Sequence, residues 1–328
     1  MNDIENFRKY LHDHKVLFVT NGDLFRKSLV LKSYNLYKDL VYDDNFICFP
    51  TRLTYRIDYK LNQAKVIDMD SKGIQYGNDV FIKMLEYAMY KYNYVIYLDN
   101  DMFVININNL FEMIKYVIEN DIDIVYPINQ AYPNINYNLD DEYCNINKKY
   151  ICNTFFHIIN VKKLFPYISQ DFIKFELVPQ LFRQNYFNEP YNEFYYNIIK
   201  NSEKIHILDC AYLWNEDHDF CGTCVFNQNK DIIGIHTYYS RIYDDVQSRW
   251  KELILANESH FNNIATYIDI IYNFVSKNQE SNNNVLDIFP YKYYFKESLD
   301  NKILLCNEIY EKYMDHSLKL NEYTITNN

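Results

Sequence analysis

Residues 94–104 read YVIYLDNDMFV, and the predicted fold class follows from this stretch. Residues 94–98 are apolar or aromatic at every position, which is typical of a central parallel strand that helices cover on both faces. The run stops at Asp99, and Asp101 follows two positions later. Because a carboxylate without a partner is too costly to bury, both side chains are expected to face solvent or a cation.

Short apolar runs before and after this strand alternate with segments of helical periodicity. The pattern predicts strands at 16–20, 46–50, 65–68 and 122–126, and helices at 24–40, 79–92 and 110–120. The residues Asn21-Gly22-Asp23 predict a turn after the first strand. The alternation predicts a doubly wound α/β sheet, whose ligands bind at the carboxyl ends of the strands.

The alternation loosens after residue 130, where a long polar loop is predicted over 131–150. Further strands are predicted at 151–159, 205–208 and 232–235, and helical segments at 250–277 and 302–314. We therefore predict a core at 1–249, with two halves at about 14–130 and about 131–249. Residues 250–328 are predicted to form a helical C-terminal extension, through which the chain is expected to form homo-oligomers.

Composition narrows the choice of partners and compartment. The 328 residues carry a net charge of −11, which argues against a nucleic-acid partner. An acidic chain that binds an anionic ligand needs a local cation, and a divalent metal is the usual one. No apolar run reaches the roughly 18 residues that span a bilayer, and seven cysteines fit a reducing compartment. A cytoplasmic location is expected, in a bacterium or in the host cell of a virus.

The two carboxylates after the strand have a specific chemistry. Oxygen ligands at positions i and i+2, where the chain turns, suit Mn²⁺ or Mg²⁺ held partly by the protein and partly by a substrate phosphate. For the tripeptide alone, a solvated turn is the alternative. A D-x-D after an apolar strand is also found in phosphohydrolases with an aspartyl nucleophile, and a catalytically inactive sugar-binding or scaffold domain is a third possibility.

Residues 94–104 resemble the D-x-D strand of GT-A glycosyltransferases, most closely the retaining group that includes glycogenin and bacterial lipooligosaccharide galactosyltransferases. The matching segments cover about 14–243, and the resemblance implies a donor half at about 14–130 and an acceptor half at about 131–249. The resemblance implies a GT-A fold, which is a Rossmann-like, mixed, mostly parallel sheet flanked by helices. It also implies transfer of a sugar from a nucleotide-sugar donor, expected to be UDP-linked, to a glycan, glycoprotein or glycolipid, with Mn²⁺ or Mg²⁺ as cofactor.

The resemblance implies three metal ligands. Asp101 is the direct carboxylate ligand, and Asp99 is shared between the metal and the nucleotide. The group's third ligand is a histidine in a His-x-x-Gly-x-x-Lys pattern, and His236 after the predicted strand at 232–235 matches it. Tyr239 stands where the glycine is expected, and Arg241 comes one position early for the lysine.

The resemblance also implies the residues that bind the donor. Lys83, in a predicted helix 16 residues before Asp99, matches a basic residue that contacts the donor. Asn153 matches an asparagine before an apolar strand, and Arg241 would contact the diphosphate. Thr20, at the end of the first predicted strand, and Asn100 complete this set.

The acceptor side leaves alternatives open. A retaining enzyme needs no dedicated base, whereas an inverting enzyme needs a carboxylate to deprotonate the acceptor hydroxyl, and Glu193 or Asp217 would serve. Trp214 would pack on an acceptor sugar or in the core. Cys221 and Cys224 form a C-x-x-C pair, for which ordinary packing at the edge of a hairpin is favoured over a zinc site.

Overall fold

In the computed structural model, the described residues form two β-sheets and flanking helices. The two complete helices among them are α1 (Asp3–Asp13) and α2 (Ile107–Glu119), and further helical residues lie at 32, 35–37, 85, 87–89, 161–164, 198–199 and 269–277. The structure describes residues 3–23, 32, 35–38, 40–42, 45–51, 65–66, 85, 87–127, 155–164, 198–199, 201–214, 220–237, 269–277 and 292–295.

The large sheet has seven strands and an α/β, Rossmann-like arrangement. In spatial order they are β3 (Lys65–Val66), β2 (Phe46–Thr51), β1 (Val16–Asp23), β4 (Tyr94–Leu98), β7 (Phe156–Asn160), β6 (Ile124–Pro127) and β8 (Ile205–Leu208). All pairs are parallel except the two that β7 makes, with β4 and with β6. The predicted mixed, mostly parallel sheet is confirmed.

The second sheet has five strands, and every neighbouring pair in it is antiparallel. In spatial order they are β12 (Lys292–Phe295), β9 (Cys210–Trp214), β10 (Phe220–Phe226), β11 (Ile232–Thr237) and β5 (Met102–Val104). Strand β5 follows β4 after a short turn, so the chain passes from the large sheet into the second sheet at the Asp99–Asp101 segment.

Two apolar clusters cover the faces of the large sheet. The first, called here the α2 core, contains Ile96, Leu98, Phe103, Phe155 and the buried face of α2. The second, called here the opposite core, contains Leu17, Val19, Val95, Tyr97 and Ile159. Full burial of a Val, Leu, Ile or Phe side chain contributes roughly 1.5–3 kcal/mol to the free energy of unfolding. Burial on both faces explains why residues 94–98 have no polar position.

Helix α2 shows how local sequence fixes an element. The Asn106 side chain accepts hydrogen bonds from the backbone N–H groups of Asn108 and Asn109, at 3.0 and 3.2 Å, and so caps the helix N-terminus. Its buried positions recur at helical spacing: Leu110, Met113, Ile114 and Val117. The predicted helix at 110–120 is confirmed, with its start three residues earlier.

Two features of the N-terminal part of the chain differ from the sequence-based prediction. The turn predicted at residues 21–23 is wrong, because β1 continues there and pairs in register with residues 49–51 of β2. Helix α1 was not predicted, since its apolar positions Phe7 and Leu11 lie among charged residues. The neighbouring strand and the underlying core outweigh local propensity at both places.

The C-terminal region is joined closely to the core. Within residues 269–277, Ile271 and Val275 are fully buried in the α2 core, and the Tyr272 ring lies 6.1 Å from the Phe103 ring. Strand β12, inside the region predicted to be helical, pairs with β9 as an edge strand of the second sheet. Among the helices in the described ranges, none combines the length and the apolar composition that crossing a bilayer requires.

Candidate active site

The Asp99–Asp101 segment lies at the topological switch point of the large sheet. Parallel strands β1 and β4 are neighbours, but the chain continues from β1 toward β2 and from β4 toward the other side of the sheet. Ligands of open α/β sheets bind in the crevice outside the carboxyl ends of such strands. Buried Thr20 of β1 pairs with Leu98, so both strands bring predicted site residues to this edge.

A tight turn fixes the backbone of the segment. The Asp99 N–H donates to the carbonyl of Phe155 at 2.9 Å, and the Met102 N–H donates back to the Asp99 carbonyl at 3.0 Å. Asn100 and Asp101, at the centre of the turn, are both buried. The turn therefore holds the second carboxylate at the junction of the two sheets.

Strand β11 brings His236 to this junction. The Thr237 N–H donates to the Asp101 carbonyl at 2.9 Å, and His236 is the register partner of Met102 in β5. The His236 Nε2 atom consequently lies 3.3 Å from Asp101 Oδ1. Two predicted metal ligands that are 135 residues apart in sequence (236 − 101) thus lie side by side.

The close approach of β5 and β11 depends on Gly234. A Cβ atom at this position would lie 2.5 Å from the carbonyl oxygen of Phe103 and 2.7 Å from Met102 Cε. A flexible side chain could rotate away from such a contact, but a backbone carbonyl in a strand cannot. Only glycine therefore fits at this position without a shift of β5. Nothing in the residues around Gly234 marks it as a position of close packing, so its role was not predicted from the sequence.

Phe155 fixes the plane of the His236 ring. The two rings stack with their centroids 4.1 Å apart and an angle of 5° between their planes. Phe155 is itself buried in the α2 core, and its carbonyl accepts the Asp99 N–H. One residue thus contacts both the turn and the imidazole.

The Asp101 and His236 side chains fit a divalent cation. Carboxylate oxygen and imidazole nitrogen are ligands that Mn²⁺ accepts. Two ligand atoms that each lie about 2.1 Å from a metal ion, at right angles to each other, are about 3 Å apart. The observed 3.3 Å is close to this separation. In the described part of the chain, no three His, Cys, Asp or Glu side chains group closely enough to hold a metal. The pair would therefore need further ligands, which a substrate diphosphate can supply.

The Asp99 side chain has a different neighbour. The Tyr97 hydroxyl, two residues earlier on β4, donates a hydrogen bond to Asp99 Oδ1. Asp99 is partly exposed, whereas Asp101 is buried. The Asp101 side chain therefore lies beside His236, and the Asp99 side chain is hydrogen-bonded to Tyr97.

Tyr37 stabilises the strand that follows Asp101. Its hydroxyl donates to the Met102 carbonyl at 2.5 Å and accepts from the Val104 N–H at 3.2 Å. These groups lie on the outer edge of β5, the edge strand of the second sheet. Burial raises the pKa of Tyr37 well above its usual value, and the hydrogen bond from Val104 offsets this only in part. The hydroxyl is therefore neutral and able to donate.

Five predicted site residues lie outside the described residues: Lys83, Asn153, Glu193, Asp217 and Arg241. Their roles stay predictions. The same holds for the side chain of Trp214 and for the C-x-x-C pair as a whole, although its second cysteine, on β10, is buried. The hairpin edge predicted near residue 225 is confirmed, since β10 and β11 form an antiparallel hairpin.

Comparison with known proteins gives distant structural similarity. No protein-family model matches the sequence, and no curated protein sequence matches it. The galactosyltransferase LgtC, in complex with donor and acceptor sugar analogues, is similar with a TM-score of 0.38 and 13% identity over 58% of this chain and 73% of that chain. Mouse xyloside xylosyltransferase 1 gives a TM-score of 0.38 and 14% identity over 59% and 85% of the two chains.

The glycosyltransferase GlyE of Streptococcus pneumoniae TIGR4 gives a TM-score of 0.35 and 15% identity, over 59% of this chain and 45% of that chain. All three similar structures are those of glycosyltransferases. Identities of 13–15% transfer no residue roles to this chain.

Proposed function

We propose that this chain is a metal-dependent glycosyltransferase that moves a sugar from a nucleotide-sugar donor, UDP-linked, to a hydroxyl group of a glycan, glycoprotein or glycolipid. The observation that carries the proposal is the contact of Asp101 with His236 at 3.3 Å, beside the carboxyl end of β4 at the switch point of the sheet. This is where open α/β sheets bind nucleotides.

Asp101 and His236 would hold Mn²⁺ or Mg²⁺, and Asp99 would face the nucleotide part of the donor. When bound, such an ion acts as a Lewis acid that stabilises the negative charge developing on a departing diphosphate. The chain's net charge of −11 gives a second reason for a cation, since an anionic donor would otherwise be repelled.

The residues around the pair have assignable tasks under this proposal. Thr20 and Asn100, both buried at the same edge of the sheet, would position the donor by hydrogen bonds. Lys83, Asn153 and Arg241 keep the donor contacts that the resemblance implies. For an inverting reaction, a carboxylate from the acceptor side would remove the acceptor proton.

The test is metal-dependent release of nucleotide from UDP- and GDP-linked sugars. Wild-type protein should release UDP with Mn²⁺ and lose this activity in a chelator. Asp101→Ala should lower turnover by about 100-fold or more, because charge stabilisation in the transition state is lost. Asp231→Ala is the matched control, since this exposed carboxylate immediately precedes the strand that carries His236 and should keep full turnover.

Other outcomes favour other functions. Nucleotide release that proceeds equally without metal would refute the transferase mechanism stated here. Hydrolysis of simple phosphate esters, lost in Asp99→Asn, would show an aspartyl phosphohydrolase. A protein that binds no donor under any condition would be a scaffold or sugar-binding domain.

A further inference from the structure

We propose that Tyr97 is a positioning residue that fixes the Asp99 carboxylate for the donor nucleotide. The inference rests on the proposed function. It assigns the two carboxylates of the motif different tasks: Asp99 binds the nucleotide, and Asp101 binds the metal.

Strand geometry places Tyr97 and Asp99 on one side of the large sheet. Side chains alternate along a strand, and in β4 Val95 and Tyr97 lie in the opposite core while Ile96 and Leu98 lie in the α2 core. Asp99, two residues after Tyr97, continues the first row. The hydrogen bond between their side chains shows that this alternation still holds at the strand end.

Asp101 lies toward the other side. The chain turns between Asp99 and Met102, and Asp101 contacts His236, whose ring stacks on Phe155 of the α2 core. The contact of Asp101 with His236 is thus distinct from the contact of Asp99 with Tyr97.

The hydrogen bond from Tyr97 suits a positioning role. A hydroxyl that donates to a carboxylate makes a charge-assisted bond, which is stronger than a neutral one. A carboxylate has about four acceptor positions, so one bond leaves capacity for a ligand. The hydrogen bond from the Tyr97 hydroxyl to Oδ1 favours one orientation of the Asp99 side chain, and the carboxylate can still accept hydrogen bonds from a ligand.

The Tyr97 ring is itself held firmly. Tyr97 is only 3% exposed and is the register partner of His157 on β7, with the two rings 6.4 Å apart. Burial lowers the pKa of His157 well below its usual value, so its ring is neutral and adds no charge beside the carboxylate. Two buried aromatic rings therefore support the orientation of Asp99.

The experiment compares Tyr97→Phe with Tyr94→Phe. Both remove one hydroxyl from a buried tyrosine of β4, but Tyr94 contacts Asn160 at the far end of the strand. Affinity for Mn²⁺ alone is measured from the paramagnetic resonance of the free ion, and affinity for UDP is measured by calorimetry at saturating Mn²⁺. Thermal unfolding of each variant is recorded alongside.

Tyr97→Phe should raise the Kd for UDP by up to about tenfold, because the Asp99 side chain then loses its fixed orientation and must be ordered when UDP binds. The Kd for Mn²⁺ alone should stay within about twofold, and Tyr94→Phe should change neither value. In an Asp99→Asn background the effect of Tyr97→Phe on UDP affinity should shrink to under about twofold, because residues that act through one another are not additive.

Three results would overturn the inference. An unchanged UDP affinity would show that the hydroxyl positions nothing. A lost Mn²⁺ affinity would show that Asp99 and Tyr97 belong to the metal site, and a full effect in the Asp99→Asn background would show a general packing defect. Wild-type protein that binds UDP neither with nor without Mn²⁺ would instead refute the proposed function, and this inference with it.

Discussion

At the residue scale, aromatic side chains surround the candidate ligands. Phe155 stacks on His236, Tyr97 donates to Asp99, and Tyr37 bridges two backbone groups of β5. A Phe ring adds no ligand atom, and a buried neutral phenol binds cations poorly compared with a carboxylate. The rings therefore fix the geometry of the site without competing for the ion.

His157 gives a prediction about pH. Burial lowers its pKa well below the usual value, so below about pH 6.5 the unfolded chain binds a proton there that the folded chain does not. This histidine should therefore lower the free energy of unfolding as pH falls, by at most about 1.4 kcal/mol per pH unit. His157→Leu should remove that part of the slope between pH 7 and pH 5, as measured by urea unfolding.

The matched variant for this prediction is Ile158→Val on the same strand. It removes one buried methylene but no titrating group, so it should lower the free energy of unfolding by about 0.5–1.5 kcal/mol equally at every pH. A His157→Leu protein with the wild-type slope would show that this histidine does not cause the pH dependence.

At the element scale, the pairing of β5 with β11 creates the site. Strand β5 has only three residues, and it is held by β11 on one edge and by the Tyr37 hydroxyl on the other. Beyond β5, the Ile105 N–H donates to the Ile233 carbonyl at 2.9 Å, which extends the pairing. A short strand needs these partners, because it forms few backbone hydrogen bonds with a neighbouring strand.

Gly234→Ala tests this pairing. The added Cβ would meet the Phe103 carbonyl at 2.5 Å, so β5 must shift, at a cost of about 1–3 kcal/mol in the free energy of unfolding. Because β5 leads directly from Asp101, we expect Mn²⁺ affinity to fall by about tenfold or more.

The comparison for Gly234→Ala is Ile233→Val, at the preceding buried position of β11. It should cost about 0.5–1.5 kcal/mol and leave Mn²⁺ affinity unchanged. Stability and affinity are measured on the same preparations by chemical unfolding and by the resonance signal of free Mn²⁺. Equal affinities in all three proteins would contradict the dependence of the site on this close approach.

At the scale of the whole molecule, the C-terminal region belongs to the folded core. Ile271 and Val275 are buried in the α2 core, and β12 covers an edge of β9. Lys32, near the N-terminal end of the chain, forms an ion pair with Asp269 at 3.2 Å and lies over the Tyr272 ring. These contacts join Lys32 to the helical residues 269–277.

Truncation tests this integration. A chain that ends after residue 249 exposes the surface under two buried aliphatic side chains, each worth about 1.5–3 kcal/mol, and leaves the edge of β9 unpaired. Its free energy of unfolding should be at least about 3 kcal/mol below that of a chain that ends after residue 296, which keeps both elements. Equal unfolding midpoints in urea would show that 269–277 and β12 are dispensable.

The sequence by itself determined the class of the fold and the location of the acidic motif. The central strand, the α2 helix and the β-α alternation have periodic patterns that depend on near neighbours, and the structure confirms them. Helix α1 and β12 were missed, because the burial of α1 and the strand pairing of β12 depend on surfaces that distant segments provide. The continuation of β1 through the predicted turn has the same origin.

Only the tertiary structure decided how the site is assembled. The 3.3 Å contact of Asp101 with His236 depends on the register of β5 against β11 and on the missing side chain at Gly234. The orientation of Asp99 toward Tyr97 depends on strand alternation at a turn in which the Asp99 N–H donates to the Phe155 carbonyl and the Met102 N–H donates to the Asp99 carbonyl. A local pattern can specify which residues carry charge, but distances between them arise from backbone pairings between segments more than a hundred residues apart.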